Sequence, residues 1–96
     1  MWAESAIEKL DKGEEAIIYP RGHSMKPLVL SGQKVVLEPI SETDVLEKDD
    51  IVLVRVKGRV YLHKINAIDG DRVQIANNRG HINGWVYRSK VYGRML

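Results

Sequence analysis

Ser24 and three histidines, His23, His63 and His81, have side chains of the types that carry out nucleophilic catalysis. Ser24 lies in the stretch Gly22-His23-Ser24-Met25-Lys26-Pro27. A serine hydroxyl is a poor nucleophile unless a base lies within hydrogen-bond reach, and neutral imidazole is suited to that task near pH 7. The base can be remote in sequence, because catalytic pairs are defined by geometry. A Gly-His-Ser-Met stretch is also typical of a turn, so the four residue types alone leave both interpretations open.

The segment 51–65, IVLVRVKGRVYLHKI, contains the clearest structural signal. Two runs rich in β-branched residues flank Lys57-Gly58, where glycine can supply the positive φ of a tight hairpin turn. Side chains alternate between the two faces of a strand, so His63 and Lys64 must point in opposite directions. Only one of them can therefore face Ser24.

The remaining pattern predicts a mainly β protein with one short helix. Ala3, Ala6, Ile7 and Leu10 have helical spacing, and Gly13 follows as a stop signal. Further strands are predicted at 14–20, 34–40, 72–76, 85–87 and 90–96, with a polar loop at 41–50, a turn at 69–71 and a loop at 77–84. Short strands with frequent turns favour a small half-open β-barrel or coiled sheet. We expect one domain over 1–96, with the helix in 1–13 and the β core in 19–95.

Composition narrows the class of protein. The chain has 96 residues, 44% hydrophobic and 29% charged, which is ordinary for a soluble domain with one modest core. It has no cysteine, which excludes disulfides, thiolate metal sites and a cysteine nucleophile. We expect neither a cofactor nor a metal. The uncharged apolar stretches span at most four or five residues, against the ~20 that a membrane helix needs. We therefore expect a soluble cytoplasmic protein without a membrane anchor.

Charge is unevenly distributed along the chain. The net charge is +2, yet all 13 acids lie at or before Asp71. Five cations follow that residue: Arg72, Arg79, Arg88, Lys90 and Arg94. Such a segment could bind an anionic partner or form a solvated sheet surface. With the nearby aromatics Trp85, Tyr87 and Tyr92 it allows an alternative OB-like nucleic-acid binder. Core packing accounts better for those aromatics, so nucleic acid is not the expected partner.

Four blocks, in order over roughly residues 19–95, resemble the serine peptidase superfamily that contains signal peptidases and LexA-like repressors. The first is Gly22-His23-Ser24-Met25-Lys26-Pro27, similar to G-x-S-M-x-P, followed by GQKVVL at 32–37. The second is DDIVLV at 49–54, similar to G-D-I-V-V-F with Asp49 where glycine is usual. The third is VYLHKINAIDGD at 60–71, and the fourth is ANNRGHINGWVYRSKVYGRM at 76–95. Each block is weak alone; their common order makes the resemblance specific.

The resemblance implies a Ser–His pair. Ser24 takes the place of the nucleophile, and His63 stands where bacterial signal peptidases and LexA-like proteins carry a lysine base. Endoplasmic-reticulum and archaeal signal peptidases also have histidine there. Lys64 is the fallback base if the register is one residue off.

Two departures from the family pattern concern the groups around the pair. The resemblance assigns oxyanion and positioning roles to Gly22, Ser24 and Met25, with the Ser24 N–H as a donor. Many signal peptidases carry a Ser or Thr hydroxyl where this chain has Gly22. The acid that orients the histidine in Ser–His relatives is also missing after Asp71. Asn77, Asn78 and Asp50 are the candidates to replace it; otherwise His63 works in a dyad or the site is inactive. His81 is assigned no role.

The predicted function is a serine endopeptidase that cleaves an extended peptide or protein segment by acyl-enzyme chemistry. We expect a stand-alone catalytic core acting in trans, with the substrate added to an exposed strand and a small side chain before the cleaved bond. Leu28, Val29 and Leu30 line the groove or belong to the core. The alternative is a weak or inactive member of the same fold that binds peptides or partners, and a homodimer stays open.

Overall fold

In the computed structural model, which describes residues 2–96, one α-helix and seven strands follow one another along the chain. They are α1 (Glu4–Asp11), β1 (Ala16–Ile18), β2 (Val35–Pro39), β3 (Ile51–Val56), β4 (Arg59–Asp69), β5 (Arg72–Ala76), β6 (Ile82–Tyr87) and β7 (Val91–Met95), with a 3₁₀ turn at Arg88–Lys90. The mainly β prediction with one N-terminal helix is confirmed. No helix within the described residues has the length and apolar character required to cross a bilayer.

The strands form one antiparallel sheet in the order β1-β2-β7-β3-β4-β5-β6. Over the described chain, β1 and β6 are the two edges, so the sheet is open and does not close into a barrel. This is the half-open arrangement that the short strands predicted. Strand β3 lies at the centre, hydrogen-bonded to β7 on one side and to β4 on the other.

The β3–β4 hairpin lies at the centre of the sheet. Its turn is Lys57-Gly58, with φ of 51° and 81°, and the paired register runs from Val56↔Arg59 to Ile51↔Lys64. Two positive φ values in a two-residue loop are the type I′ geometry that matches strand twist. Strand β4 continues to Asp69, beyond the predicted end at Ile65, and its register with β5 shifts between Ile65 and Ala67. Such a shift bends a strand, which allows the second half of β4 to pair with β5.

Hydrophobic side chains pack against the hairpin from both sides. The first cluster contains α1, β1 and β2 residues together with Ile51, Leu53 and Leu62. The second contains Val52, Val54, Val56 and Ile65 with residues of β5 and β7. Consecutive residues of β3 therefore enter opposite clusters, as strand alternation requires. Val52, Leu53 and Val54 are fully buried as a result.

Two arginines fasten the loop at 40–50 to the sheet. The Arg94 guanidinium lies 3.0 Å from Glu38 Oε1 and 3.3 Å from Asp50 Oδ2, and it also donates to the Val45 carbonyl at 2.7 Å. The Arg88 guanidinium donates to the carbonyls of Ser41 and Asp44. These contacts span more than forty residues of sequence.

Replacing Arg94 with methionine should lower the free energy of unfolding by about 1–3 kcal/mol, because it removes the guanidinium that pairs with two half-buried carboxylates and donates to a carbonyl. Arg72→Met is the matched control. Its pair with Asp69 is exposed on both sides, so a loss within about 0.5 kcal/mol is expected. Urea unfolding followed by circular dichroism measures both; equal losses would contradict the anchoring role of Arg94.

Candidate active site

Residues 19–32 form a loop that folds back on itself after β1. The Gly32 N–H donates to the Pro20 carbonyl at 2.6 Å, and the Gly22 N–H donates to Ser31 Oγ at 3.0 Å. Within the loop, Met25 and Val29 are buried in the first cluster, while Leu28 and Leu30 remain about half exposed. The two buried side chains hold the loop against the sheet with Ser24 half-buried at its surface. We call residues 19–32 the serine loop.

The serine loop meets strand β4 at His63. Ser24 Oγ and His63 Nε2 are 3.1 Å apart, although 39 residues separate them in sequence. His63 is only 6% exposed, the one polar residue in the buried set of the described chain. Lys64 points to the other face, where its Nζ lies 3.4 Å from Asn78 Oδ1. As strand alternation predicts, only one of the two basic side chains reaches Ser24 Oγ, and it is His63.

Asn83 is the partner of the other imidazole nitrogen. His63 Nδ1 lies 2.7 Å from Asn83 Oδ1. An amide oxygen only accepts hydrogen bonds, so Nδ1 must carry the proton and Nε2 presents its lone pair. In this tautomer the Ser24 hydroxyl donates to Nε2. Ser24, His63 and Asn83 thus form a hydrogen-bonded chain with the geometry of a nucleophile, a base and an orienting group.

A bulge in β6 directs Asn83 toward the histidine. In the pairing of β5 with β6, Ile75 faces Gly84 and Ala76 faces Ile82, so Asn83 is the extra residue. A bulge of this kind redirects a side chain. Gly84 has φ of 140°, a conformation that an L side chain rarely adopts. The local backbone therefore depends on glycine immediately after Asn83.

Asn83 replaces the three orienting candidates predicted from the sequence. Asn77 Oδ1 instead accepts the N–H groups of Arg79 and His81, which closes the 77–81 turn. Asp50 Oδ2 is held by the Arg94 guanidinium and by the Glu47 N–H. Asn78 bonds to the serine loop. Sequence reasoning missed Asn83 because Asn-Gly is typical of a turn, whereas β6 begins at Ile82.

Asn78 connects the 77–81 turn to the serine loop. Its backbone N–H donates to the Ser24 carbonyl at 2.8 Å, and its side-chain Nδ2 donates to the Lys26 carbonyl at 2.7 Å. With the contact from Lys64 Nζ, it has partners on both the serine loop and β4. Asn78 therefore holds the backbone on both sides of Met25 in place, and Lys64 in turn contacts the Asn78 side chain.

Burial lowers the pKa of His63. Removal of the imidazole from water is the largest cause, and the nearby His81 lowers it further, while the hydrogen bond to Asn83 raises it. The Tyr61 ring stacks on the imidazole with centroids 4.8 Å apart and an interplanar angle of 25°. Burial disfavours the charged form of a histidine. His63 is consequently neutral, and able to accept a proton, near pH 7.

The backbone of the serine loop offers N–H groups beside Ser24 Oγ. Within the described residues, the N–H groups of Ser24 and Met25 have no acceptor. The Gly22 N–H, by contrast, is occupied by Ser31 Oγ. Of the three residues predicted for the oxyanion and positioning roles, Ser24 and Met25 retain free donors and Gly22 does not.

A cleft of about 370 Å³ opens beside Ser24 and His63. Its apolar lining includes Met25, Val29, Val60 and Leu62. The half-exposed aromatic side chains of Trp2 and Tyr19 also line it. Val29 and Leu30 both line the cleft. Val29 also belongs to the first hydrophobic cluster, so it is both a groove residue and a core residue.

Along this cleft, one edge of β4 has no strand partner among residues 2–96. Pairing with β5 begins only at Lys64↔Ala76. The Ile65 backbone bonds toward β3, to Asp49 and Asp50. Because the hydrogen-bonding direction alternates along a strand, Val60 and Leu62 direct their N–H and C=O groups away from β3. The cleft is therefore bordered by backbone groups that can pair with an added strand.

The family model described as signal peptidase, peptidase S26, matches residues 16–94 of this chain. The matched range includes Ser24, His63 and Asn83. No curated protein and no solved structure matches the chain.

The hydrogen bond between Asn83 and His63 predicts a measurable shift. Asn83→Ala should lower the pKa of His63 further, since it removes the interaction that raises it, and Asn83→Asp should raise that pKa because a carboxylate stabilises imidazolium. NMR titration of the His63 imidazole signals measures both changes. Asn66→Ala, which removes an amide that bonds to Gln74 and not to the imidazole, is the control and should leave the His63 titration unmoved; a shift there as large as in Asn83→Ala would contradict the assignment.

Proposed function

Because this chain belongs to the signal peptidase family, peptidase S26, we propose that it is a serine endopeptidase with Ser24 as nucleophile and His63 as general base. The observation that carries the proposal is the 3.1 Å separation of Ser24 Oγ and His63 Nε2, with Asn83 on the opposite imidazole nitrogen. A hydroxyl within hydrogen-bond reach of a base, which a third group orients in turn, is the arrangement of an activated nucleophile.

In the proposed reaction Ser24 Oγ attacks the carbonyl carbon of the peptide bond while its proton moves to His63 Nε2. The tetrahedral intermediate collapses, the C–N bond breaks, and His63 returns the proton to the leaving amine. A water molecule then attacks the acyl-enzyme with His63 again as base, which releases the second peptide and restores the Ser24 hydroxyl.

Asn83 and the serine loop supply the supporting groups. When His63 gains a proton, Asn83 Oδ1 accepts the Nδ1–H and stabilises the imidazolium with a dipole, whereas a carboxylate would do so with a full charge. The free N–H groups of Ser24 and Met25 are the candidates to bind the oxyanion. Each preorganised donor of this kind is worth ~10²–10³ in rate where it has been removed.

The substrate is an extended peptide added to the unpaired edge of β4. The free backbone groups of Val60 and Leu62 support this mode, since β-augmentation obtains affinity from main-chain hydrogen bonds and selectivity from side-chain pockets. The apolar cleft beside them, of about 370 Å³, provides space for side chains of the substrate.

A weak or inactive peptide-binding domain of the same fold is the second candidate. The neutral Asn83, in the place where Ser–His relatives of the family carry an acid, favours this alternative. The two candidates share the cleft and differ in turnover alone.

Ser24→Ala and His63→Ala should each reduce peptide cleavage by at least 10³-fold, because each removes a member of one catalytic unit. Lys64→Ala should retain activity within about tenfold, since Lys64 acts only through Asn78. Cleavage of a quenched fluorescent peptide library measures all three, with folding checked by circular dichroism. Turnover unchanged in Ser24→Ala would end the peptidase proposal, and loss in Lys64→Ala with His63→Ala harmless would reassign the base.

Activity should extend to lower pH than an unperturbed histidine allows. The neutral imidazole is the active form and burial lowers its pKa, so the rising limb of kcat/KM should have its midpoint below the ordinary histidine value of about 6.5. Asn83→Asp should move that midpoint to higher pH. A wild-type midpoint above 6.5 would contradict the role of the buried His63 as the base.

A further inference from the structure

Resting on the proposed peptidase function, we infer that this site selects peptides with Asp or Glu side chains close to the bond that is cleaved. The inference comes from the charges around Ser24. The serine loop contributes Arg21, His23 and Lys26, and the 77–81 turn contributes Arg79 and His81; all five are exposed.

The two segments form one surface because Asn78 binds them together. Its contacts to the carbonyls of Ser24 and Lys26, at 2.8 and 2.7 Å, bring the turn that holds Arg79 against the loop that holds Lys26. We call the surface formed by Arg21, Lys26 and Arg79 the basic rim. His81 is close enough to His63 to lower its pKa by charge, which places the turn near the reacting atoms as well.

The basic rim is unneutralised. Within residues 2–96, the side chains of Arg21, Lys26 and Arg79 make no ion pair and no hydrogen bond. Arg21 also lines the cleft, and no carboxylate appears among its described lining residues. A peptide in the cleft would therefore meet cations without nearby acids of the protein to offset them.

The other cations of the basic C-terminal segment are mostly engaged elsewhere. Arg94 pairs with Glu38 and Asp50, Arg72 pairs with Asp69 and lies over the Trp85 ring, and Arg88 donates to two carbonyls. Within the described chain, this leaves Arg79 and Lys90 unpaired. Arg79 lies on the rim, while Lys90 lies past the opposite end of β6, roughly 16 Å away along the strand.

An acidic side chain of the substrate would therefore gain attraction from several cations at once. Exposed pairs are individually weak and screened by salt, so the preference should be about three- to tenfold at low ionic strength and should shrink as salt is added. A complementary field also raises the association rate of the favoured partner.

Binding to the Ser24→Ala protein tests the inference without turnover. Three fluorescent peptides share one apolar sequence with small residues on both sides of the central bond, and they carry Asp, Asn or Lys at the second position from that bond on each side. Fluorescence anisotropy at about 20 mM and about 300 mM NaCl should give affinities in the order Asp, Asn, Lys, with the difference reduced at the higher salt concentration. Equal affinities at low salt, or the reverse order, would overturn the inference.

Charge reversal locates the preference. Arg79→Glu and Lys26→Glu, each in the Ser24→Ala background, should abolish or invert the Asp-over-Lys preference. Lys90→Glu makes the same change in net charge far from Ser24 and should preserve it. An equal effect of all three would show that net charge decides, which overturns the role of the rim. Binding of a single-stranded DNA dodecamer more tightly than the Asp peptide, lost in the same two rim variants, would overturn the assignment to peptides.

Cleavage of the three peptides by the wild-type protein separates this inference from the proposed function. A higher kcat/KM for the Asp peptide, lost in Arg79→Glu, supports both. Cleavage without preference overturns the selectivity and keeps the peptidase. Preferential binding without any Ser24-dependent cleavage overturns the peptidase and keeps an acidic-peptide site.

Discussion

Burial of strand β3 on both of its faces is the constraint on which the positions of the site residues depend. Val52 and Val54 enter one hydrophobic cluster while Leu53 enters the other, so β3 cannot slip in register by one residue without exchanging all of its side chains. Strand β4 is paired with β3 residue by residue. The orientation of His63, opposite Val52, is therefore determined by the packing of the core rather than by local preference.

The three hydrogen-bonded residues Ser24, His63 and Asn83 are each positioned by a different kind of backbone structure. The serine loop is held by buried side chains, His63 by a regular strand, and Asn83 by a bulge before the last residue pair of β5 with β6. The buried imidazole loses hydration, which lowers its pKa. The hydrogen bond to the neutral amide of Asn83 raises that pKa, but by less than a carboxylate would. A base of this kind is unprotonated near pH 7, and its protonated form is only weakly stabilised. Weak stabilisation of the imidazolium would slow turnover, which is why a peptide-binding domain is the alternative to a peptidase.

The charges of the C-terminal segment illustrate why net charge says little about a partner. Its cations differ by their surroundings: Arg94 and Arg88 hold the 40–50 loop, whereas Arg79 is exposed and follows Asn78, whose N–H bonds to the Ser24 carbonyl. The carboxylate of Asp50 is held by Arg94 and by the Glu47 N–H, and the neutral Asn83 is the group that contacts His63 Nδ1.

The sequence by itself determined the β-rich class, the hairpin at Lys57-Gly58, the open sheet and the family, because these depend on local propensity, alternation and ordered motifs. Alternation also separated His63 from Lys64, since side-chain direction within a strand follows from period alone. The partner of His63 could not be found this way. The direction of Asn83 depends on a register shift between β5 and β6 and on the positive φ of Gly84, and Asp50 binds Arg94, 44 residues away, in place of His63. Both are consequences of long-range pairing, which only the tertiary structure decides.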